Sequence, residues 1–192
     1  MLASLSGKIL KKIDHAIVLG VGGVGFKVLM SERSLKALPV VGGVVDLSTH
    51  LYVRENGLEL YGFLSSEELR FFELLISVSG VGPKSALSIL SVADIMKLSA
   101  AITEGRSDLL SKASGIGTKT AARIIVELKS KVSSPHAESM VATMDADSDI
   151  LDMLANLGYK REAARAALGK VPADAASLEE RMKAVLKILS GK

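Results

Sequence analysis

The sequence predicts an α+β multidomain chain: a small β-barrel, then a helical domain built on a duplicated hairpin, then a small three-helix domain at the C-terminus. Three observations carry this prediction. Short β-branched and apolar runs fill residues 1–63 and give way at Ser65 to apolar residues at helical spacing. A 17-residue segment recurs with an offset of 35 residues. The stretch Ser133–Asp149 holds four acids and no Lys or Arg, and sets residues 150–192 apart.

In chain order, the first element is a set of short strands at Ile9, Ile13, Ala16–Leu19, Phe26–Met30, Val44–Leu47 and Leu51–Val53, punctuated by glycines, Pro39 and charges. Asn56-Gly57, between 51–54 and 58–61, is a hairpin signal because a type I′ turn favours this dipeptide. Strands this short and closely spaced suggest a barrel over 1–63. Ser65-x-x-Glu68 then fits a capping box, followed by Leu69, Phe72, Leu75 and Ile76 on one helical face. The helical pattern continues over 64–132, interrupted at Gly80–Pro83, Gly105 and Gly115–Gly117. Residues 133–149 read as a flexible acidic linker, because Ser, Pro and acids dominate without a sustained apolar period. Ile150 to Leu157, Ala163 to Leu168 and Leu178 to Leu189 mark the three C-terminal helices, close to the lower size limit for an independent domain.

Composition narrows the function. The 192 residues carry 24 Lys+Arg against 21 Asp+Glu, a net charge of +3. Residues 1–63 hold seven bases and five acids, 64–132 nine and seven, and 133–192 eight and nine. A phosphate binder with so small an excess has to rely on backbone donors. Cysteine is absent, which removes disulfides, thiol nucleophiles and Cys-ligated metal centres. His15, His50 and His136 have no metal-ligand spacing, so neither a metal nor a cofactor is expected. The start Met1-Leu2-Ala3-Ser4 lacks the charged and apolar regions of a signal peptide. The longest uncharged stretch among the strands, Ala16–Phe26, falls well short of the roughly 20 residues of a membrane span. A cytoplasmic protein with no membrane partner is expected.

The repeat carries the chemistry. Leu74–Leu90 reads LLISVSGVGPKSALSIL and Leu109–Ile125 reads LLSKASGIGTKTAARII, with eight of 17 positions identical. Each copy has the form helix, Gly-apolar-Gly, polar-Lys, helix. The glycines permit a tight turn and a close backbone approach. The second helix starts at the turn, so its unbonded N–H groups and positive dipole end face outward, where an anion fits. Lys84 and Lys119 add charge, and Val81 and Ile116 are expected to point inward and hold the helices together. One such copy is compatible with a plain helix connection. Two copies with the same lysine point to a pair of phosphate sites that grip nucleic acid without reading bases.

This is the helix-hairpin-helix pattern. GVGPKSALSIL followed by GIGTKTAARIIVELK, with GGVGFKV at 22–28, YVRENGLELYGF at 52–63 and LGYK at 157–160, resembles the RuvA family over essentially the whole chain. The resemblance implies an OB-like barrel at 1–63 that tetramerises, a DNA-binding domain at 64–132, a flexible linker at 133–149 and a motor-binding domain at 150–192. It implies a homotetramer, or an octamer of two tetramers, on a four-way (Holliday) junction, in recombination and DNA repair. The implied partners are a RuvB-like hexameric ATPase motor and, as a further one, a RuvC-like junction resolvase. The implied phosphate contacts are Gly80, Val81, Gly82 and Lys84, then Gly115, Ile116, Gly117, Thr118 and Lys119, with Arg123 as an additional contact. The family's acidic pin maps to Glu55 and Asn56, where two adjacent carboxylates are usual, so a tetramer here brings four formal charges to the crossover rather than eight. Thr118 stands where the family often has lysine, which implies a shallower salt dependence. No catalytic residue is implied. In the C-terminal domain, Leu157, Tyr159 and Leu168 either leave an adhesive face for the motor or form the domain's own core.

Two readings of other classes compete. Gly20-Val21-Gly22-Gly23-Val24-Gly25, with Asp46 further on, formally matches a dinucleotide-binding fingerprint. The alternation of Phe26, Val28 and Met30 and the lack of following βαβ units oppose it, and the glycines fit barrel bends. A helix-hairpin-helix glycosylase or nuclease, or a generic DNA binder with this motif, is the second. No Asp stands in Lys129–Ala137, soon after the second hairpin, where such glycosylases place a catalytic one. No Walker A motif occurs, so ATP hydrolysis is left to a partner.

Overall fold

The computed structural model describes residues 2–55, 57–132, 137–171 and 178–190. The chain forms two compact units, 1–134 and 135–192.

The first unit opens with a closed barrel. Its strands are β1 (Ser4–Ile13), β2 (Ala16–Val21), β3 (Val24–Leu29), β4 (Val44–Arg54) and β5 (Gly57–Phe63), in the order β1-β2-β3-β5-β4. All neighbours are antiparallel except β3 and β5, which close the barrel through Val28↔Leu60 and Leu29↔Tyr61. Leu5, Ile9, Ile17, Leu19, Val28 and Leu47 alternate inward and fill it. Gly22 and Gly23, at φ +56° and +83°, form the two-residue turn between β2 and β3. The glycine run is therefore a hairpin turn in a barrel and not a phosphate loop opening a helix. The tightest glycine positions lie elsewhere. A Cβ on Gly7 would collide with the Gly20 carbonyl oxygen, and one on Gly62 with Val28 Cγ1.

Two details of 1–63 differ from the sequence reading. Arg54 pairs with Gly57, so the β4–β5 tip begins at Glu55, one residue earlier than an Asn56-Gly57 turn. Residues 32–37, expected within β structure, form the short helix α1 (Glu32–Ala37), capped by Ser31 Oγ, which accepts from the Ser34 amide at 3.1 Å.

Helices α2 (Ser66–Ser77), α3 (Pro83–Val92), α4 (Ile95–Thr103), α5 (Ser107–Leu110) and α6 (Thr118–Leu128) follow. Ser65 caps α2 by accepting from the Glu68 amide at 3.2 Å, and Glu68 Oε2 accepts from the Leu64 amide at 3.1 Å. The Ser34 hydroxyl donates to the same carboxylate, tying α1 to α2. Phe72 packs against Phe63, Tyr61 and His50 with centroids 4.8, 5.2 and 5.5 Å away. The Glu32 amide donates to Ser91 Oγ on α3 at 3.1 Å. These contacts fix the helices on the barrel.

The second unit contains α7 (Ala137–Asn156), α8 (Arg161–Leu168) and α9 (Leu178–Leu189) around Ile150, Leu154, Ala164, Ala167, Leu168 and Val185. Residues 137–149, expected as linker, are the first turns of α7. Ala137 and Val141, four apart, are buried, and Asp147 accepts from Arg181 Nε and Nη2 at 2.8 and 2.6 Å. That ion pair anchors a helix whose local composition favours an open chain. Of the expected linker, 133–136 lie outside the described residues. Leu168 belongs to the core, whereas Leu157 and Tyr159 are 65% and 39% exposed. Among the described residues no single helix is long and apolar enough to cross a membrane.

Candidate nucleic-acid interface

The two repeat copies fold into nearly identical turns. In the first, Val78 is the C-cap of α2, Gly80 takes φ +88°, and the Val81 amide donates back to the Val78 carbonyl at 3.0 Å. In the second, Gly115 takes φ +80° and the Ile116 amide donates to the Ala113 carbonyl at 3.2 Å. Glycine is needed at both positions, because a side chain is strained at these angles. Val81 and Ile116 are each 5% exposed, plugged between the helices they join. Gly82 and Gly117 are the N-caps of α3 and α6, at φ/ψ of −87°/166° and −85°/169°.

Neither of these two helices has a side-chain cap. A Cβ on Gly82 or Gly117 would meet nothing within 4 Å, so the space in front of each set of amides is open. Lys84 and Lys119, at equivalent positions one residue apart from their helix starts in register with Pro83 and Thr118, are exposed. Neither makes an ion pair among the described residues. Thr118 is also exposed, at the first residue of α6. Each motif thus offers open backbone donors, a helix dipole and a lysine to one anion.

The copies also interlock. Arg123, on α6 of the second motif, donates from Nη1 to the Ser79 carbonyl of the first turn at 3.1 Å. Ser85 Oγ, on α3 of the first motif, stands 3.2 Å from where a Cβ of Gly115 would lie. The structure therefore brings Arg123 to the first hairpin, whereas its place in the sequence associates it with the second. A cleft of about 830 Å³ separates the hairpins from the barrel, lined by Lys84, Ser85, Lys112 and Gly115 on one side and by Asp14 and Glu32 on the other.

The expected pin lies away from the hairpins. Glu55 is exposed at the β4–β5 tip, and Asn56 is outside the described residues. Below the tip, Val53 and Leu58 face each other in register and are 66% and 69% exposed. Arg54 lies over the Tyr52 ring at 4.6 Å and 3.8 Å from Glu59. Tyr61 donates to Glu59 at 2.8 Å, and burial, followed by that carboxylate, pushes its phenol far above the usual range, so it stays a donor. Among the described residues no group of three His, Asp or Glu is placed to hold a metal ion.

Comparison with known proteins agrees with this architecture. Residues 1–62 match the RuvA N terminal domain, and residues 72–130 match the SAM-like helix-hairpin-helix tandem. A protein of Herpetosiphon aurantiacus named Holliday junction branch migration complex subunit RuvA is 39% identical, covering 100% of both chains. Its namesake in Geobacter sulfurreducens is 40% identical over 98% of this chain and 99% of its own. A third, from Caldanaerobacter subterraneus, is 42% identical over 92% of each. With a barrel, a hairpin tandem and a C-terminal helical unit in the same order, and with relatives of this identity along the full chain, the protein belongs to the RuvA family.

Proposed function

We propose that this protein is the non-catalytic, junction-binding subunit of a branch-migration complex. It holds the arms of a four-way junction by their phosphates and leaves the mechanical work to a RuvB-like ATP-driven hexamer. The observation that carries this is the pair of matched, uncapped helix N-termini, each with an open approach and an exposed lysine. Two such sites in one rigid unit suit the regular phosphates of a duplex. Contacts of this kind position DNA without specifying sequence, so selectivity comes from geometry. Four protomers, one per arm, satisfy it, and the exposed Val53 and Leu58 on the pin hairpin give a central apolar surface for self-association. Residues 1–63 then provide the tetramer and pin, 64–132 the DNA grip, and the C-terminal unit, with Leu157 and Tyr159 exposed, the contact with the motor. A second tetramer and a RuvC-like resolvase would complete the assembly on the opposite face.

The test is a salt-titrated gel shift comparing an immobile four-way junction with linear duplex of the same sequence. Strong junction preference that persists as salt and Mg²⁺ rise supports the reading. Equal, salt-sensitive binding to both reduces the protein to a generic phosphate binder of this motif. Within that assay, Lys84→Ala with Lys119→Ala is expected to weaken junction binding at physiological salt by about tenfold or more for each engaged protomer and to lower the salt slope by about two per protomer. The loss should be the same on junctions of unrelated sequence; a loss confined to one sequence would contradict the phosphate role.

The pin makes a kinetic prediction. Asn56→Asp restores a second carboxylate at the tip, and like charge near phosphates repels them. Its expected effect is on migration rate in a reconstituted motor assay, with junction affinity nearly unchanged. Equal rates for both proteins would remove the pin from the mechanism.

A further inference from the structure

We infer that Arg123 is a positioning residue that sets the spacing between the two phosphate sites and thereby favours duplex over single-stranded DNA. This rests on the phosphate-site reading above.

The argument begins with the reciprocal contact of the motifs. The left-handed glycine of each turn is covered by a residue from the other motif's second helix. Arg123 Nη1 lies 3.9 Å from where a Cβ of Gly80 would be, and Ser85 Oγ lies 3.2 Å from the equivalent point at Gly115. The contacts run in both directions between the motifs, but they are not made by equivalent residues and the chemistry is one-sided. The repeat partner of Arg123 is Ser88, 35 residues earlier, and that of Ser85 is Thr120. Only Arg123 is long enough and charged enough to cross-brace the pair.

Its partner explains the energetics. Ser79 follows the C-terminus of α2, where carbonyls lack intrahelical donors and the dipole end is negative. α2 has no basic residue in its own last turn. The guanidinium of Arg123 fills that role from 44 residues away, with a 3.1 Å hydrogen bond. A planar, always-charged fork holds such a bond in one orientation, which an ammonium on a flexible stem does not.

The consequence concerns two-point binding. A duplex presents phosphates at fixed separations, so both hairpins engage together only if their own separation is fixed in advance. A single strand adjusts its backbone to either hairpin. Bracing the hairpins therefore strengthens duplex binding and leaves single-strand binding nearly unchanged. A phosphate contact by Arg123 would strengthen both and would add to the counterions released.

The experiment measures affinity for duplex, junction and single-stranded DNA across a salt series for the full chain and for Arg123→Met, Arg123→Lys and Lys84→Ala. For Arg123→Met the expected result is about a tenfold loss on duplex and junction, less than about twofold on single strands, and an unchanged salt slope. Arg123→Lys, which keeps the charge, should lose part of the duplex preference. Should Arg123→Met not fold, judged by thermal unfolding, Arg123→Lys decides: full duplex preference in that variant overturns the proposal. A salt slope lowered by Arg123→Met as much as by Lys84→Ala, with equal losses on all DNAs, also overturns it and makes Arg123 an ordinary phosphate contact. If Lys84→Ala changes nothing, the phosphate sites themselves fail, a separate result from either outcome at Arg123.

Discussion

Aspartate at both Gly82 and Gly117 is expected to abolish junction binding, by more than about a thousandfold, in a protein that melts no lower than the parent. The two halves of this expectation come from one observation. Both glycines sit at helix N-caps with extended angles that any residue adopts, and a Cβ at either would point into open space. By helix energetics alone glycine is not the best choice there. An Asp side chain would accept from the free amides of the first turn and stabilise each helix by a few tenths of a kcal/mol over glycine. Glycine leaves those amides open, as the proposed phosphate grip requires. An Asp would occupy them and set a negative charge where a phosphate belongs, at a cost of about 1–4 kcal/mol per contact at 4 Å, depending on how far water is excluded. Repeated at two hairpins in several protomers, this eliminates binding. Gly82→Ser with Gly117→Ser caps without charge and should fall between the two proteins. Thermal melting and the junction gel shift are the two measurements. An Asp variant that binds junctions normally would show that the helix N-termini do not face DNA.

The hairpins were legible in the sequence because their physics is local. A left-handed turn residue, a buried apolar plug, an open N-cap and a lysine all fall within six residues, and the duplication at a 35-residue offset separated them from chance. The barrel was legible from short apolar runs, and Gly22-Gly23 proved to be a hairpin turn because strands flank it on both sides. What stayed hidden depends on partners distant in sequence. Arg123 reads as an appendage of the second motif until the fold brings Ser79 beneath it. α1 is only six residues long and is held by Ser91 and Glu68 from later helices. The register of the β4–β5 hairpin follows cross-strand pairing along all of β4 and β5, against the local preference of Asn56-Gly57 for the turn centre. Residues 137–149 carry the composition of a linker, and their helix is tied down through Asp147 by an arginine 34 positions further on.

That last dependence leads to a clean separation of functions. Asp147→Ala is expected to unfold the C-terminal unit while junction binding by the first unit survives. Arg181 is a buried guanidinium, with 8% of its side chain exposed, and Asp147 accepts from two of its nitrogens. Removing one member of a buried ion pair costs up to about 3–5 kcal/mol, since the desolvated guanidinium loses two of its hydrogen bonds and a counter-charge. The unit's core consists of a few aliphatic side chains from three helices, and domains of this size seldom hold more than about 5 kcal/mol in reserve. The loss is therefore of the same order as the whole stability of the unit. Circular dichroism should show lost helix, and motor-driven migration should stop, while the junction gel shift remains as in the parent. Asp147→Leu combined with Arg181→Met removes both charges and fills the space with apolar groups, an exchange that is often neutral or stabilising. It should restore the helix and the coupling to the motor together. Restored helix without restored coupling would mean that the charged pair itself contacts the motor. An unaffected helix in Asp147→Ala would mean that α7 is held by the burial of Ile150 and Leu154 in the core of the unit and does not need the pair.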